Sequence, residues 1–552
     1  MSLLDPATAT ALPGPVREVG NQAAPLRPAN LFAGDAALRE AVVREGADWD
    51  VDHLMTLGEM AGSEESWQHS RRAERNAPVL VTHDRYGNRV DTVELDPSWH
   101  HLLDTAVSHG MHSLPWTGPP GAHVARAARF MLWNQVNSGV MCPVSMTTAV
   151  VPALRAAAPH LAAEWEPRLT LTDPATVALS GMAMTERQGG SDVRANITTA
   201  TPVGGDRYAI WGHKWFCSYP PCDIFLVLAQ ARPSAAGSAE GGLSCFLVER
   251  GPGMEFQRLK DKLGSRSLPS SEVEFLGIEG RLVGEEGRGV PAIIQMVNQT
   301  RMDCIIGTAA GLRHGVLQAV HHARHRRAFG ALLVDQPAMR NVLADLHLES
   351  EAATAAAFRL ARACDGAEAD PTENAFRRLG IAVMKYWVCK RAGAHAAEAL
   401  ECLGGNGYVE DSGMPLLYRD IILSGIWEGS GNVAALDVLR AMGREPASVQ
   451  AFMDECALAA GADARLDAHL RDLGQALAGL AQSDSREAVE FGARRIVEDM
   501  AVALQASLLV RHAPAAVADA FCASRLGGSG RVYGTLPQGL DTAAIVDRAL
   551  LA

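Results

Sequence analysis

Four separated segments place hydroxyl, aromatic, charged and glycine residues in patterns that could do chemistry. The first runs Met184-Thr185-Glu186-Arg187-Gln188-Gly189-Gly190-Ser191-Asp192 after an apolar, strand-like stretch. At such a turn, hydroxyls and free backbone N–H groups can hold a polar heterocycle or a pyrophosphate. A turn held by its own Asx and Ser side chains accounts for the same letters. The second, Lys214-Trp215-Phe216-Cys217-Ser218, reads as a strand whose aromatic ring and hydroxyl could stack on and hydrogen-bond a flat ring. A core Phe and a strand-end Ser form the competing reading. The third is Leu403-Gly404-Gly405-Asn406-Gly407-Tyr408, followed by Arg419-Asp420 and Ile426-Trp427-Glu428-Gly429-Ser430-Gly431-Asn432. Its glycines permit close backbone approach to a phosphate, and Asn432 predicts a helix start. Glu428 sits between an apolar run and a Gly-Ser turn. A carboxylate beside a Trp in a partly dry cleft has a raised pKa, which suits a proton-abstracting base; an exposed loop glutamate is the alternative. The fourth, Arg324-His325-Arg326-Arg327-Ala328-Phe329-Gly330, closes a helix, where basic residues either compensate the dipole or clamp a phosphate.

Several kinds of element must position these residues. Residues 1–30 carry five prolines and read as a loose arm. Helical periodicity begins near Asp35, Ser63 with Glu65 and Gln68 resembles a helix start, a polar interruption follows at 77–98, and helix resumes from Trp99 to about Trp165. From residue 178, short β-rich runs between Gly, Pro and Ser clusters predict a small antiparallel barrel or sandwich. Amphipathic segments at 290–327, 336–365, 371–403 and 432–443 predict a helical bundle, with Pro337 in a first turn and Gly404–Gly405 as a helix stop. Residues 444–552 read as further helix with a Gly-rich break at 527–534. The expected division is an N-terminal arm and helical domain (1–177), a β-barrel domain (178–289), a bundle (290–443) and a C-terminal helical domain (444–552).

Of 552 residues, 48% are apolar and 20% charged, a globular profile that argues against disorder, collagen and coiled coil. Fifty basic against 63 acidic residues give a net charge of −13, so the whole chain repels nucleic acid and any DNA contact needs a local patch. The ten cysteines form no C-x-x-C pair, which argues against a structural zinc site, and no metal is expected. Their scatter and the lack of a signal-like start predict reduced thiols in a cytoplasmic protein. No uninterrupted apolar run reaches the roughly 18 residues of a membrane span.

Together the four segments resemble the acyl-CoA dehydrogenase family in order and approximate spacing. M-T-E-x-x-G-G-S-D resembles its first flavin-contacting turn, which implies roles for Met184, Thr185, Gly190 and Ser191. K-W-F-C-S resembles its second flavin strand, with Phe216, Cys217 and Ser218 against the ring. R-R-A-F-G resembles its R-x-x-F-G motif, in which Arg326 and Phe329 would reach the FAD of a neighbouring subunit. L-G-G-N-G-Y and W-E-G-S-G-N resemble its last two motifs, which implies cofactor contacts for Gly404, Gly405, Trp427, Gly429, Ser430 and Asn432 and makes Glu428 the catalytic base. Arg301 matches an Arg beside that base; its local alternative is a structural pairing with Asp303. The resemblance implies a mainly α fold with a central β-barrel (helical N-terminal domain, barrel, four-helix bundle), FAD as cofactor, an acyl-CoA or other carbon-acid substrate, and a homotetramer.

Longer segments, L-F-A-G-D-A-A-L-R-E-A-V-V-R-E-G-A-D-W-D and L-K-D-K-L-G-S-R-S among them, resemble the AidB-type subgroup over nearly the whole chain. That implies an added C-terminal helical domain binding double-stranded DNA, a part in protecting DNA from alkylating agents, and weak dehydrogenase activity. A metabolic acyl-CoA dehydrogenase with no DNA role is the other reading. Nitroalkane oxidases share the fold but carry Asp as base, and Glu428 points away from them. Glu401 departs from the family, which has Gln there. Residues 443–552 hold ten Arg and fourteen Asp or Glu, a balance of −4, so DNA contact would need one face bearing Arg494, Arg495, Arg511, Arg525 and Arg531.

Overall fold

Short polar side chains start the first helices of the computed structural model, which describes residues 20–24, 26–232, 241–528 and 532–550. Asp35 Oδ1 accepts from the Leu38 amide at 3.1 Å, and Ser63 Oγ accepts from the Ser66 amide at 3.1 Å. The N-terminal part comprises α1 (Ala36–Arg44), α2 (Val51–Ala61), α3 (Glu64–Arg75), β1 (Val79–His83), β2 (Arg89–Glu94), α4 (Pro97–Ser108), α5 (Leu114–Thr117), α6 (Ala122–Asn134), α7 (Met141–Ala157) and α8 (Pro159–Leu169). The polar interruption is thus an antiparallel hairpin, β1 against β2. Asp84 shapes its turn by accepting from the amides of Tyr86 and Asn88 at 2.8 and 2.9 Å. Nor is all of the arm loose. Arg27 donates to the carbonyls of Ala61 and Ser63 and lies over the Trp67 ring at 4.6 Å.

Seven strands follow: β3 (Ser180–Ala183), β4 (Thr199–Gly204), β5 (Arg207–Ser218), β6 (Ile224–Ala231), β7 (Gly242–Glu249), β8 (Met254–Leu259) and β9 (Ser270–Val283). They form one mixed sheet in the order β3-β6-β4-β5-β9-β7, with β8 on β9 and a further β6–β7 pairing. The expectation of an all-antiparallel arrangement is therefore corrected: the sheet is mixed. β3 and β4 both pair with β6 in parallel, because each is joined to it through intervening chain rather than by a tight hairpin. β6 is buried almost throughout, as its unbroken apolar run requires.

Next come α9 (Gly289–His325), a small hairpin of β10 (Arg327–Ala328) and β11 (Ala331–Leu332), α10 (Pro337–Gly366), α11 (Pro371–Glu401), α12 (Met414–Ile421) and α13 (Gly431–Arg444). Pro337 lies in the first turn of α10, where its missing N–H costs nothing. The Ala-rich faces of α9, α10 and α11 pack on one another and form much of the core.

The tail folds back as α14 (Pro446–Ala457), α15 (Ala464–Ala481), α16 (Arg486–His512), α17 (Ala515–Phe521) and α18 (Thr542–Arg548). Buried ion pairs fasten it. Arg359 on α10 meets Glu455 at 2.7 Å, Arg511 meets the same Glu455 at 2.7 Å, and Arg548 meets Glu351 at 2.9 Å. All ten cysteines are buried and unpaired, and among the described residues no helix is long and apolar enough to cross a membrane.

Candidate active site

The Trp427-Glu428-Gly429-Ser430 turn lies between α12 and α13, with Glu428 at a left-handed φ of 57° and Gly429 at 102°. Glycine takes such angles at no cost; a glutamate there is held by its surroundings. Three successive carbonyls are gripped by two buried cations. Lys385 Nζ, on α11, donates to the Trp427 carbonyl at 2.8 Å and also to the Gly429 carbonyl. Arg301 Nε, on α9, donates to the Glu428 carbonyl between them at 2.9 Å. Arg301 itself is fixed by Asp437 at 2.7 Å. The local alternative is thereby corrected, since Asp303 pairs instead with Arg126 at 2.9 Å.

The Glu428 carboxylate accepts from the Thr300 hydroxyl at 2.7 Å. Burial pushes its pKa above the ordinary glutamate value, while the Thr300 hydrogen bond, Arg301 and Lys385 oppose that rise. The result is a carboxylate with a raised affinity for a proton in a fixed place, the requirement for a general base.

Burial pushes the thiol of Cys142, at the start of α7, up to about 12; Glu428 adds to that rise, while Lys262 and Ser218 oppose it. Ser218 ends β5, and just before it the strand bulges. Lys214 pairs with Val273 and Cys217 with Ser271, so β5 spends three steps where β9 spends two. The extra residue turns Phe216 outward, 48% exposed, while Cys217 stays fully buried in the core.

The Met184–Asp192 turn is clamped by a buried ion pair. Lys214 Nζ reaches Glu186 at 2.8 Å and the Leu228 carbonyl at 2.7 Å. Glu186 also accepts from the amides of Ile197 and Thr198 at 2.7 and 3.2 Å, and these contacts outweigh burial to hold its carboxyl well below the usual range. The Trp215 amide donates to the Thr185 carbonyl at 2.8 Å, which lays the turn beside β5. Gly190 faces Thr185 so closely that a Cβ would stand 2.3 Å from its hydroxyl. Met184 and Thr185 are half-buried, whereas Ser191 is exposed.

Arg326, Phe329, Gly404 and Gly405 form a second group. Phe329 and Gly330 both have positive φ, 51° and 85°, the two-residue turn that joins β10 to β11. Phe329 is fully exposed, and Gly404 and Gly405 border open space. Among the described residues no hydrogen bond or ion pair joins Arg326 or Phe329 to Thr185, Ser218 or Glu428.

Ser430 holds the N-cap position of α13 without a side-chain hydrogen bond, and the helix starts at Gly431, so Asn432 lies in the first turn. Arg494 Nε donates to Asn432 Oδ1 at 2.8 Å, which joins a residue expected to meet DNA with one expected to meet the cofactor. The remaining tail arginines divide. Arg495 is exposed, Arg511 is committed to Glu455, and Arg531 lies outside the described residues. Arg525 is corrected: its side chain is 6% exposed and paired with Asp345 at 2.6 Å and Glu349 at 3.2 Å, so it presents no charge to a partner. Thr300, Lys385, Cys142 and the Glu186–Lys214 pairing escaped the sequence reading. Thr300 stood next to Arg301, and the phase of β5 put Lys214 on the buried side.

A helical N-terminal part, a mixed sheet with a bulged aromatic strand, and a bundle that holds a buried glutamate in a constrained turn define the acyl-CoA dehydrogenase architecture. Residues 21–173 match the adaptive response protein AidB N-terminal domain, 181–278 the acyl-CoA dehydrogenase middle domain and 287–443 its C-terminal domain. The chain is 40% identical to the putative acyl-CoA dehydrogenase AidB of Escherichia coli (strain K12) over 532 residues, 93% of this chain and 95% of that one. It is 34% identical to acyl-CoA dehydrogenase family member 11 of Caenorhabditis elegans over 67% of this chain and 63% of the relative. The crystal structure of C. elegans ACDH-11 in complex with C11-CoA superposes with a TM-score of 0.84 at 27% identity, covering 100% of this chain and 95% of that one. The chain belongs to the acyl-CoA dehydrogenase family, in its AidB branch.

Proposed function

We propose that the protein is an FAD-dependent oxidoreductase that dehydrogenates an acyl-CoA thioester between Cα and Cβ. The observation that carries this reading is Glu428, a base whose turn is gripped at three consecutive carbonyls by Arg301 and Lys385. The surroundings suit a flavin. Phe216 offers an outward aromatic face, Thr185 and Ser218 offer hydroxyls, and the buried indole N–H of Trp427 has no protein acceptor among the described residues. When bound, FAD supplies the acceptor for the β-hydrogen as hydride. Glu428 takes the α-proton, which the thioester carbonyl acidifies. Thr300 orients the carboxylate, and Phe216 and Ser218, at the bulged end of β5, would meet the flavin ring. Met184, Gly190 and Ser191 would line the first turn, and Gly404, Gly405, Arg326 and Phe329 a neighbouring subunit's cofactor in a homotetramer.

The test is an anaerobic titration of the purified tetramer, its mass checked by light scattering, with acyl-CoAs of increasing chain length. One range of chain lengths is expected to bleach the flavin spectrum. A flavin-loaded protein that no thioester bleaches would overturn the dehydrogenase reading.

The match of residues 21–173 to an adaptive response protein favours a second role, protection of DNA against alkylation, with contact to duplex DNA through the exposed face of α16 at Arg494 and Arg495. Each phosphate neutralised should lower log affinity by about 0.9 per log unit of salt. Exchange of both arginines for glutamate is expected to flatten that slope by nearly two such increments. An unchanged slope, or no duplex binding by the parent protein at low salt, would remove the role.

A further inference from the structure

The arm does more than lead into α1. Asn21 binds the first residues of the Arg326 turn as a strand would: its Nδ2 donates to the Arg327 carbonyl at 2.9 Å, and its Oδ1 accepts from the Arg327 amide at 2.7 Å. Its own carbonyl accepts from Arg326 Nη1. One residue on, Gln22 Oε1 accepts from Asn406 Nδ2 at 3.0 Å, within the Leu403–Tyr408 loop. The Ala24 carbonyl then meets His321 Nε2 at 2.7 Å on the last turns of α9. Asn21 and Gln22 thus bridge two loops that lie roughly eighty positions apart in the chain, and among the described residues no side-chain hydrogen bond joins those loops directly.

The charges at this junction point to an anion. Arg324 has its own carboxylate, Asp547, at 2.5 Å. Among the described residues neither Arg326 nor Arg327 has one within ion-pair distance. Of the five N–H donors of the Arg326 guanidinium, the arm takes one, which fixes the plane and leaves the others to meet phosphate. Asn21 has a φ of 56°, an angle that Asn tolerates better than most residues, so its conformation is set for this contact.

We propose that Asn21 and Gln22 are positioning residues for the adenosine half of the flavin site, bracing the Arg326 turn against the Asn406 loop so that Arg326 stands ready for the cofactor phosphate. The inference rests on the FAD reading above. It predicts a selective loss. FMN lacks the adenylate that these loops would meet, so weakening the brace should spare FMN and penalise FAD.

The experiment compares the parent tetramer with Asn21→Ala/Gln22→Ala, Arg326→Ala and the combined triple variant, each stripped of flavin and titrated with FAD and with FMN by fluorescence quenching. Asn21 and Gln22 are exposed, so the fold is expected to survive, and circular dichroism verifies it. The expected result is FAD binding weakened roughly tenfold by either change, FMN binding unaltered, and a triple variant no worse than Arg326→Ala, because the brace acts through that arginine. If Arg326→Ala weakens FAD and the arm variant does not, or if the two losses multiply, the brace is refuted while the FAD reading stands. If Arg326→Ala leaves FAD binding intact, the assignment of Arg326 to the cofactor fails, and the brace fails with it.

Discussion

Glu428→Gln protein is expected to purify with its flavin and to be reduced by acyl-CoA at least about a thousandfold more slowly than the parent, the upper part of the range for loss of a positioned general base. Glutamine keeps the shape of the side chain and an oxygen that can accept from the Thr300 hydroxyl. The main-chain grip of Arg301 and Lys385 is untouched, so the turn and its φ are expected to persist. What disappears is the capacity to take the α-proton. Stopped-flow reduction under anaerobic conditions measures it directly, and near-parental reduction in a flavin-loaded variant would end the assignment of Glu428 as base.

The same substitution has a second, opposite consequence for stability. Burial raises the Glu428 carboxyl above its unfolded value. Between those two values the native protein holds more protons than the unfolded chain, so the residue's contribution to stability falls as pH rises through that window. Glutamine does not titrate. The variant is therefore expected to match the parent in Tm at pH below the ordinary glutamate value and to exceed it near pH 8. A site that is less stable when functional is a common cost of catalysis.

The helices were legible because caps and periodicity act locally. Ser63, Pro337 and the apolar spacing of residues 290–327 each fix structure through neighbours a few positions away. The sheet was legible as strands but not in its pairing, since β3 and β4 find β6 in space rather than along the chain. The hairpin at Val79–Glu94 was missed because its strands carry little buried apolar surface and so show no clear alternation. At the candidate site, the Trp-Glu-Gly-Ser letters directed attention to Glu428, but the groups that hold it could not be read. Lys385 is one of two lysines in α11, with Lys390, and a helical lysine ordinarily means a solvated face, yet it is 1% exposed. Arg525 failed in the reverse direction. The sequence reading put it on a face with four other arginines, and tertiary packing instead set it between Asp345 and Glu349.

That buried lysine yields the other large effect. Lys385→Met is expected to keep FAD and to reduce acyl-CoA-driven flavin reduction at pH 7 by an order of magnitude or more, with the pH profile displaced upward. Two causes act together. Removing the ammonium leaves the Trp427 and Gly429 carbonyls buried without their donor, at a cost of about 1–3 kcal/mol each, and relaxes the turn that keeps Glu428 at positive φ. It also removes one of the two cations that oppose the effect of burial on Glu428, so the base holds its proton to higher pH, and each unit of that displacement is about tenfold in the active fraction. Arg301 would remain as the only cation on the turn, bound to the middle carbonyl and to Asp437. Lys385→Arg keeps the charge in altered geometry and is expected to restore the pH profile more fully than the rate. The two contributions therefore separate: recovery of the profile without the rate assigns charge to the proton affinity of Glu428 and geometry to its placement. A methionine variant with the parental pH profile and parental reduction rate would show that Glu428 is positioned by the fold without Lys385.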